Sequence, residues 1–511
     1  MTEETVSMLY KLKPISDRLP AVKRPEGHVH FRTKMMWVVI VLVVYFVMTN
    51  VYIYGLDQAE TLDIFAQYRT IMAGASGSLL QLGIAPIVTA SIIMQLFVGA
   101  KIIKLDLTNK KDKACYQSVL KLVVIFMIIF EAVPQVFGYL VPSDDFVGTF
   151  GSFGASALIV LQLFLGSYVV FLMDELISKW GIGSGISLFI AAGVAQQLFT
   201  GTFNWYAVDA SAAMSLSNPP AGAIPKALYI LSTCTPQELA TQGYDLIFLQ
   251  QPNPLIALIG TIVIFMLVAY LESTRIELPL SHGGARGARG RYPIKLIYAS
   301  NIPVILMSAL LANISMFALL FYSGFLSGVP LLGSNEALGY FAEGSTAASG
   351  GLAWYLSAPT GLTSWLMPII DPVNYATDHT PLMHLMHVVI YCTVMILGSV
   401  LFAKFWISTT GMGADSVAKQ IQRSGMQIPG FRRDPRVLER VLDRYIPTIT
   451  ILSGALIGAL AAFSDLVGTV GNASGTGVLL AVSIMIHFYE AIGREQMMEM
   501  HPVMRGFLGG E

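Results

Sequence analysis

Four short stretches decide how this chain is read: Gly83-Ile-Ala-Pro86-Ile-Val, Gly181-Ile-Gly-Ser-Gly185-Ile, Asn301-Ile-Pro303-Val-Ile and Gly475-Thr-Gly477-Val-Leu-Leu. Each sets a glycine or proline break at the opening of an apolar segment. A membrane span needs about 20 such residues. Ten candidates run roughly over 35–54, 82–100, 122–141, 154–173, 182–200, 254–271, 296–322, 383–403, 446–463 and 475–489. The broken ones are the second, fifth, seventh and tenth. If the chain is two halves of five spans, the breaks fall at the second and fifth span of each half. Broken helices at matching positions point to a central pathway. The residues after each break are aliphatic rather than charged, which bears on what can pass.

Composition and charge agree with a membrane protein. The 511 residues are 54% apolar and 12% charged, against about 25% charged in a soluble domain. Net charge is near zero, yet its distribution is lopsided. With the N-terminus placed in the cytosol and sides alternating, every Lys and Arg except Arg69 and Lys226 falls on the inner side or at its border. Gly324 to Leu382 contains neither residue type. That pattern predicts both termini in the cytosol. An odd number of spans per half predicts halves related by inversion. Cys115, Cys234 and Cys392 fall in different compartments, so they build no disulfide framework. A polar, basic start followed by a span-length apolar stretch gives no sign of a cleavable leader.

The expected organisation is therefore an all-α membrane protein. A basic cytosolic arm covers 1–34 and a first five-helix half 35–200. An external loop covers 201–253, a second half 254–492 and a cytosolic tail 493–511. Within the first half, 61–78 is neither loop-like nor long enough to span. Ile64, Phe65, Tyr68, Ile71 and Met72 have helical spacing, with Asp63 and Arg69 among them. Two readings stay open: a short helix packed inside the protein, or one lying on the outer leaflet. The second half carries cytosolic loops at 272–295 and 404–445 and a long external loop at 324–382. The first cytosolic loop reads as flexible and cationic, with Arg286 and Arg289 spaced by glycine; the second holds Arg423, Arg432 and Arg433. Glycine-spaced arginines suit phosphate backbones, although basic loops also enforce topology. The external stretches, including the nearly low-complexity 340–352, read as surface caps.

What is missing excludes much. Ionisable residues inside spans mark proton or ion pathways, and Glu131 is the clearest one here. Its expected role is a buried carboxyl bonded to a neighbouring helix. Asp174, Glu175, Asp465 and Glu490 sit near helix ends, where snorkelling or solvent accounts for them. His384 and His387, interleaved with Met383 and Met386 after Asp378 and His379, suggest metal ligands, but the other half has no second set. No phosphate-binding loop, zinc-protease helix or nucleophile elbow appears, so neither an enzyme nor a cofactor is expected. A secondary transporter would line its breaks with charged or coordinating groups. An insertase without a pore would need neither a plug-like segment nor four matched breaks.

Three longer motifs carry a resemblance: Gly83 to Leu96, Gly181 to Ile190 and Tyr292 to Leu306. They resemble SecY, the family of pore subunits of the Sec protein-conducting channel, in its archaeal form, which is similar to the eukaryotic alpha subunit. The likeness runs from the basic arm to the last span. It implies a protein-transport function: unfolded secretory chains cross the membrane, and signal or transmembrane segments leave sideways into lipid. It also implies a pore ring of Ile84, Val88, Ile186, Ile190, Ile305 and Leu480, a plug in the 61–78 segment, and a lateral gate between helices two and three and helices seven and eight. Thr89, Glu131, Asn301 and Asn313 match polar gate positions, and the two basic loops match ribosome-docking loops. The implied partners are SecE-like and beta-like membrane subunits, the ribosome and its nascent chain, ribosomal RNA at the basic loops, the signal recognition particle pathway and membrane lipid.

Overall fold

The computed structural model describes residues 14–16, 18–27, 29–57, 72–99, 102–103, 105, 110–209, 212–282, 289–298, 301–322, 328, 333–342, 347–373, 375, 377–410, 412–423, 426–427, 435–471 and 473–500. Helices dominate. The first five spans are α1 (Phe31–Thr49), α2 (Ala85–Gly99), α3 (Lys110–Gly138), α4 (Asp144–Trp180, kinked at Gly151) and α5 (Gly185–Phe203). After the connecting helix α6 (Ala223–Thr233) come α7 (Leu255–Ser273), α8 (Ile302–Tyr322), the short α9 (Gly351–Leu356), α10 (Pro381–Thr410), α11 (Ala414–Arg423), α12 (Pro435–Val467) and α13 (Gly475–Met500). Among the described residues, nine helices are long and apolar enough to cross a membrane, and α2 is a shorter apolar helix.

Position in the bundle follows burial. In its most apolar window α8 is 67% buried, whereas α1 is 22% buried, so α8 runs through the middle and α1 along the rim. The 15 residues of α2 rise only about 22 Å, short of the roughly 30 Å hydrocarbon layer. Residues 72–84 complete the crossing as irregular chain, with Leu80, Leu82 and Ile84 at most 2% exposed. Such backbone survives at membrane depth only if its polar groups find partners inside the protein. Here they do. Ile53 N–H donates to Gly77 O (2.9 Å), Leu79 N–H to Val51 O (2.9 Å) and the Tyr45 hydroxyl to Ala73 O (3.1 Å).

The two halves meet along two lines. On one, α1 and α5 pack against α13; on the other, α2 packs against α8 and α10. On the first line the backbones themselves touch. A Cβ at Gly471 (φ +83°) would stand 1.9 Å from the Gln197 carbonyl oxygen, and one at Gly201 would stand 2.2 Å from Gly471 Cα.

The loop at 272–295 carries paired strands on either side of the stretch read as flexible, of which residues 283–288 lie outside the described residues. Strands β1 (Arg275–His282) and β2 (Arg289–Lys295) pair antiparallel from Arg275↔Lys295 to Ser281↔Arg289. Strand pairing satisfies backbone groups that a loop would leave to water. The alternation Ile276-Glu-Leu-Pro-Leu280 is a period-two pattern that could have revealed it. The external connections are more than surface caps: β3 (Tyr340–Phe341) pairs with β4 (Ala348–Gly350), and Ala353 and Trp354 of α9 are buried. A last strand, β5 (Met426–Gln427), joins the hairpin edge at β1.

Candidate functional site: an aliphatic constriction and a polar seam

Each of the four breaks is a specific piece of geometry. Gly83 has φ +55°, and a Cβ there would fall 2.1 Å from Met72 O, so only glycine fits. Ile84 N–H then donates to that same oxygen at 2.8 Å. At the second break Gly183 has φ +80°, which lets the chain reverse between α4 and α5. At the third, Asn301 O accepts from Val304 and Ile305 N–H (3.1 and 3.2 Å), with Pro303 in the first turn of α8. There proline's missing N–H costs nothing. At the fourth, Gly475 presses against the backbone of Ser464 and Asp465.

These turns start α2, α5, α8 and α13 with aliphatic side chains facing inward. Ile84, Val88, Ile190, Ile305 and Leu480 all belong to one buried apolar cluster, and Ile186 packs against it half-buried. All six side chains implied by the resemblance thus lie in or against the apolar interior of the bundle, each following one of the breaks. Of the plug residues, Asp63, Ile64, Phe65, Tyr68, Arg69 and Ile71 lie outside the described residues; Met72 is buried beside the first break.

The line where α2 meets α8 and α10 is closed differently. Asn313 Nδ2 on α8 donates to Thr89 Oγ1 on α2 at 3.0 Å. Glu131 of α3, 2% exposed, lies beside the Thr89 side chain. Phe130 of α3 faces Phe317 of α8 with ring centroids 6.0 Å apart. Further along, α2 and α10 approach so closely at Gly99 that a Cβ would meet the Phe405 ring. Asn301 is buried at the start of α8, where its backbone carbonyl serves the break.

The acidic groups near helix ends divide in two. Glu175 is salt-bridged to Lys121 and Lys179 at 2.7 Å each and accepts Val22 N–H; Glu490 holds Lys295 at 2.8 Å and Arg275 at 3.4 Å, anchoring the base of the β1–β2 hairpin on α13. Asp174 and Asp465 correct the expectation from sequence. Asp465 is 4% exposed, and both carboxylates accept N–H groups at the starts of the following helices. Snorkelling accounts for neither. A carboxylate about one short loop before a glycine-opened helix, 11 residues ahead of Gly185 and 10 ahead of Gly475, was the available signal.

Of the basic loop residues, Arg289 opens β2 and Arg423 closes α11, while Arg286, Arg432 and Arg433 lie outside the described residues. The histidines do not gather around a common centre. His384 Nε2 pairs with Thr377 Oγ1 and His387 Nε2 with Ser357 O, both at 2.9 Å, and the rings of His379, His384 and His387 surround Trp354. Among the described residues no group of three or more His, Cys, Asp or Glu is placed to hold a metal ion.

Comparison with known proteins settles the family. A SecY family model matches residues 78–489, and one for the plug domain of Sec61p matches 43–77. The chain belongs to the SecY family. It is 46% identical to the protein translocase subunit SecY of Archaeoglobus fulgidus, over 99% of both chains. It is 45% identical to that of Haloferax volcanii, over 98% of this chain and 99% of the other. A solved protein-conducting channel superposes with TM-score 0.75 at 38% identity, covering 96% of this chain and 98% of that one. Sec61 from the canine ribosome-channel complex of the endoplasmic reticulum gives TM-score 0.72 at 37% identity with the same coverage. SecY-family membership makes this chain a multi-pass membrane protein of a protein-translocation channel and not an enzyme, with a plug domain that begins before the 61–78 segment.

Proposed function

We propose that unfolded polypeptide crosses the membrane between the two halves of this chain, through a ring made by Ile84, Val88, Ile186, Ile190, Ile305 and Leu480. The observation that supports this is that six aliphatic side chains, buried or half-buried, follow four matched helix breaks. An apolar constriction offers a passing chain no hydrogen bonds, and when narrow it resists wetting by water and ions. A relative's plug domain stabilises the closed state of its translocation channel and maintains a membrane seal, and we assign the same task to the plug domain of this chain.

The α2–α8 seam, with Thr89, Glu131, Asn301 and Asn313, is the lateral gate. A membrane-embedded hydrogen bond is worth about 0.6 to 2 kcal/mol, and a leucine gains about 0.3 to 0.6 kcal/mol on entering lipid. A signal helix with ten leucines therefore outweighs the few bonds of the seam, and opening becomes a population shift driven by substrate hydrophobicity. Both termini and the two basic loops face the cytosol. There Arg286, Arg289, Arg423, Arg432 and Arg433 meet the ribosome and its RNA; the relative solved in a ribosome-channel complex supports that partner. SecE-like and beta-like subunits and the signal recognition particle pathway complete the assembly.

The test is crosslinking from Ile305→Cys to a single-cysteine secretory chain stalled on its ribosome. Cys115, Cys234 and Cys392 form no disulfide among the described residues and are first replaced by alanine. Crosslinks at 305, absent from the lipid-facing control Val39→Cys (Val39 is 54% exposed), are the expected result. No crosslink with the ribosome bound and the protein folded overturns the pore assignment.

A further inference from the structure

Two aspartates, Asp465 buried and Asp174 half-buried, hold equivalent places in the two halves, and the channel reading gives them no task. Asp174 lies in α4, the fourth span of the first half; Asp465 lies in α12, the fourth span of the second. Each reaches forward to the opening of the next span. Asp174 Oδ1 accepts Ile186 N–H at 3.0 Å, with Gly185 N–H and the Ser184 side chain close to the carboxylate. Asp465 Oδ1 accepts Thr476 N–H at 2.8 Å, and Oδ2 accepts the Thr476 hydroxyl at 2.6 Å, with Gly475 N–H close by. The separations are 12 and 11 residues. In both halves the donating N–H belongs to the residue that follows the glycine opening the helix.

The packing repeats with the bonding. A Cβ at Gly185 would lie 2.6 Å from Asp174 Cα, and one at Gly475 would lie 2.0 Å from the Ser464 carbonyl carbon. Each helix thus starts flush against the backbone of its predecessor beside the aspartate. The first N–H groups of a helix have no partner within it. They carry the positive end of its dipole, and lipid supplies no water to satisfy them. A carboxylate within hydrogen-bond range is a strong charge-assisted acceptor for those groups. Inversion of the halves puts one such junction near each face of the membrane.

Each junction leads directly into the ring. Ile186 is itself the residue whose N–H Asp174 accepts, and Leu480 lies one turn beyond Thr476. We propose that Asp174 and Asp465 are a matched pair of positioning residues, fixing the starts of α5 and α13 and through them Ile186 and Leu480 in the closed setting of the channel. This rests on the pore-ring reading. The pair differs in one respect: Asp465 Oδ2 also accepts the Tyr391 hydroxyl of α10 at 2.7 Å, so the second junction is tied to a helix of the polar seam.

The experiment is resting ion efflux from proteoliposomes holding the full chain with its partner subunits, read beside the thermal midpoint. Variants are Asp174→Asn, Asp465→Asn, the double variant, and Ile190→Gly as a test of the ring itself. Each single aspartate variant is expected to raise efflux about tenfold, the factor that corresponds to about 1.4 kcal/mol, and the double variant more, with the midpoint kept. Faster labelling of Leu480→Cys by a water-soluble maleimide in the Asp465→Asn background is the accompanying signature. If Ile190→Gly leaks while folded aspartate variants stay tight, the positioning role is wrong and the pore reading stands. If Ile190→Gly is as tight as the parent, the ring falls and the positioning role with it. Should an aspartate variant fail to fold, Ser184→Ala and Thr476→Val each remove one donor and leave the carboxylate. A smaller rise of about twofold, or about 0.4 kcal/mol, supports the proposal, and no rise overturns it.

Discussion

On the proposed reading, the aliphatic ring and the polar seam close one passage by opposite means. The ring excludes by having nothing to offer: six side chains without a hydrogen-bonding atom, set by backbone breaks that glycine and proline make rigid. The seam holds by having a little to offer, namely one amide-to-hydroxyl bond between Asn313 and Thr89, a buried carboxyl at Glu131 and the Phe130–Phe317 ring contact. A barrier to water and ions has to be indifferent to sequence, because any secretory chain must slide through it. A barrier to lipid has to be discriminating, because only hydrophobic segments should cross it. The difference teaches that one bundle can be permissive along its axis and selective at its side.

Polar substitution in the ring should give the largest effect and is the most direct way to break this comparison. Ile190→Asn combined with Ile305→Asn supplies two amides to bind water. At about 1 to 3 kcal/mol per polar group, resting ion efflux should rise on the order of 100-fold. Wild-type efflux would show that the seal lies elsewhere. A smaller change is expected at the seam. Thr89→Val with Asn313→Leu removes a bond of about 0.6 to 2 kcal/mol, and should lower the hydrophobicity needed for lateral release by about three leucines in a guest segment, at about 0.3 to 0.6 kcal/mol each. Integration of a graded leucine series measures it, and efflux should stay at its resting value. An efflux rise matching that of the ring variant would merge the two barriers into one.

The smallest effect belongs to neither barrier and serves as their control. Lys226 of α6 is buried and donates to Gln250 O (2.7 Å) and Pro252 O (3.1 Å), and burial pushes its ammonium from the ordinary 10.5 down to about 8. The unfolded chain therefore binds more protons between about pH 8 and pH 10.5, and stability should climb with pH across that window. A thermal midpoint that rises there in the parent and is flat in Lys226→Met, with efflux and release unchanged in both, is the expected result. A midpoint falling with rising pH would mean that the charged form is the favoured one.

Much of this was readable from the chain. Glycine and proline breaks act locally, so the four openings and their six aliphatic residues could be named from sequence spacing and resemblance. Helix ends were harder. The third span begins at Lys110 rather than 122, the ninth at Pro435 rather than 446, and the last continues to Met500. Hydropathy reports the thickness of the hydrocarbon, whereas a hydrogen-bonded helix continues into water on charged residues. The tasks of Asp174 and Asp465 were hidden because a carboxylate's partner is set by how the next helix folds back, which no single segment encodes. The β1–β2 hairpin was obscured by its arginines and glycines, although its first strand alternates.

The contact between Gly201 and Gly471 has a consequence for how such a chain can vary over generations. Along the ring, exchange among isoleucine, leucine and valine keeps the chemistry, so drift there is inexpensive. At the glycine joint no exchange is small: one added methyl group would enter the Gln197 carbonyl and wedge the halves apart. The least mutable part of this molecule is therefore expected at a place its cargo never touches, where inheritance guards the joint of the two halves more strictly than their passage.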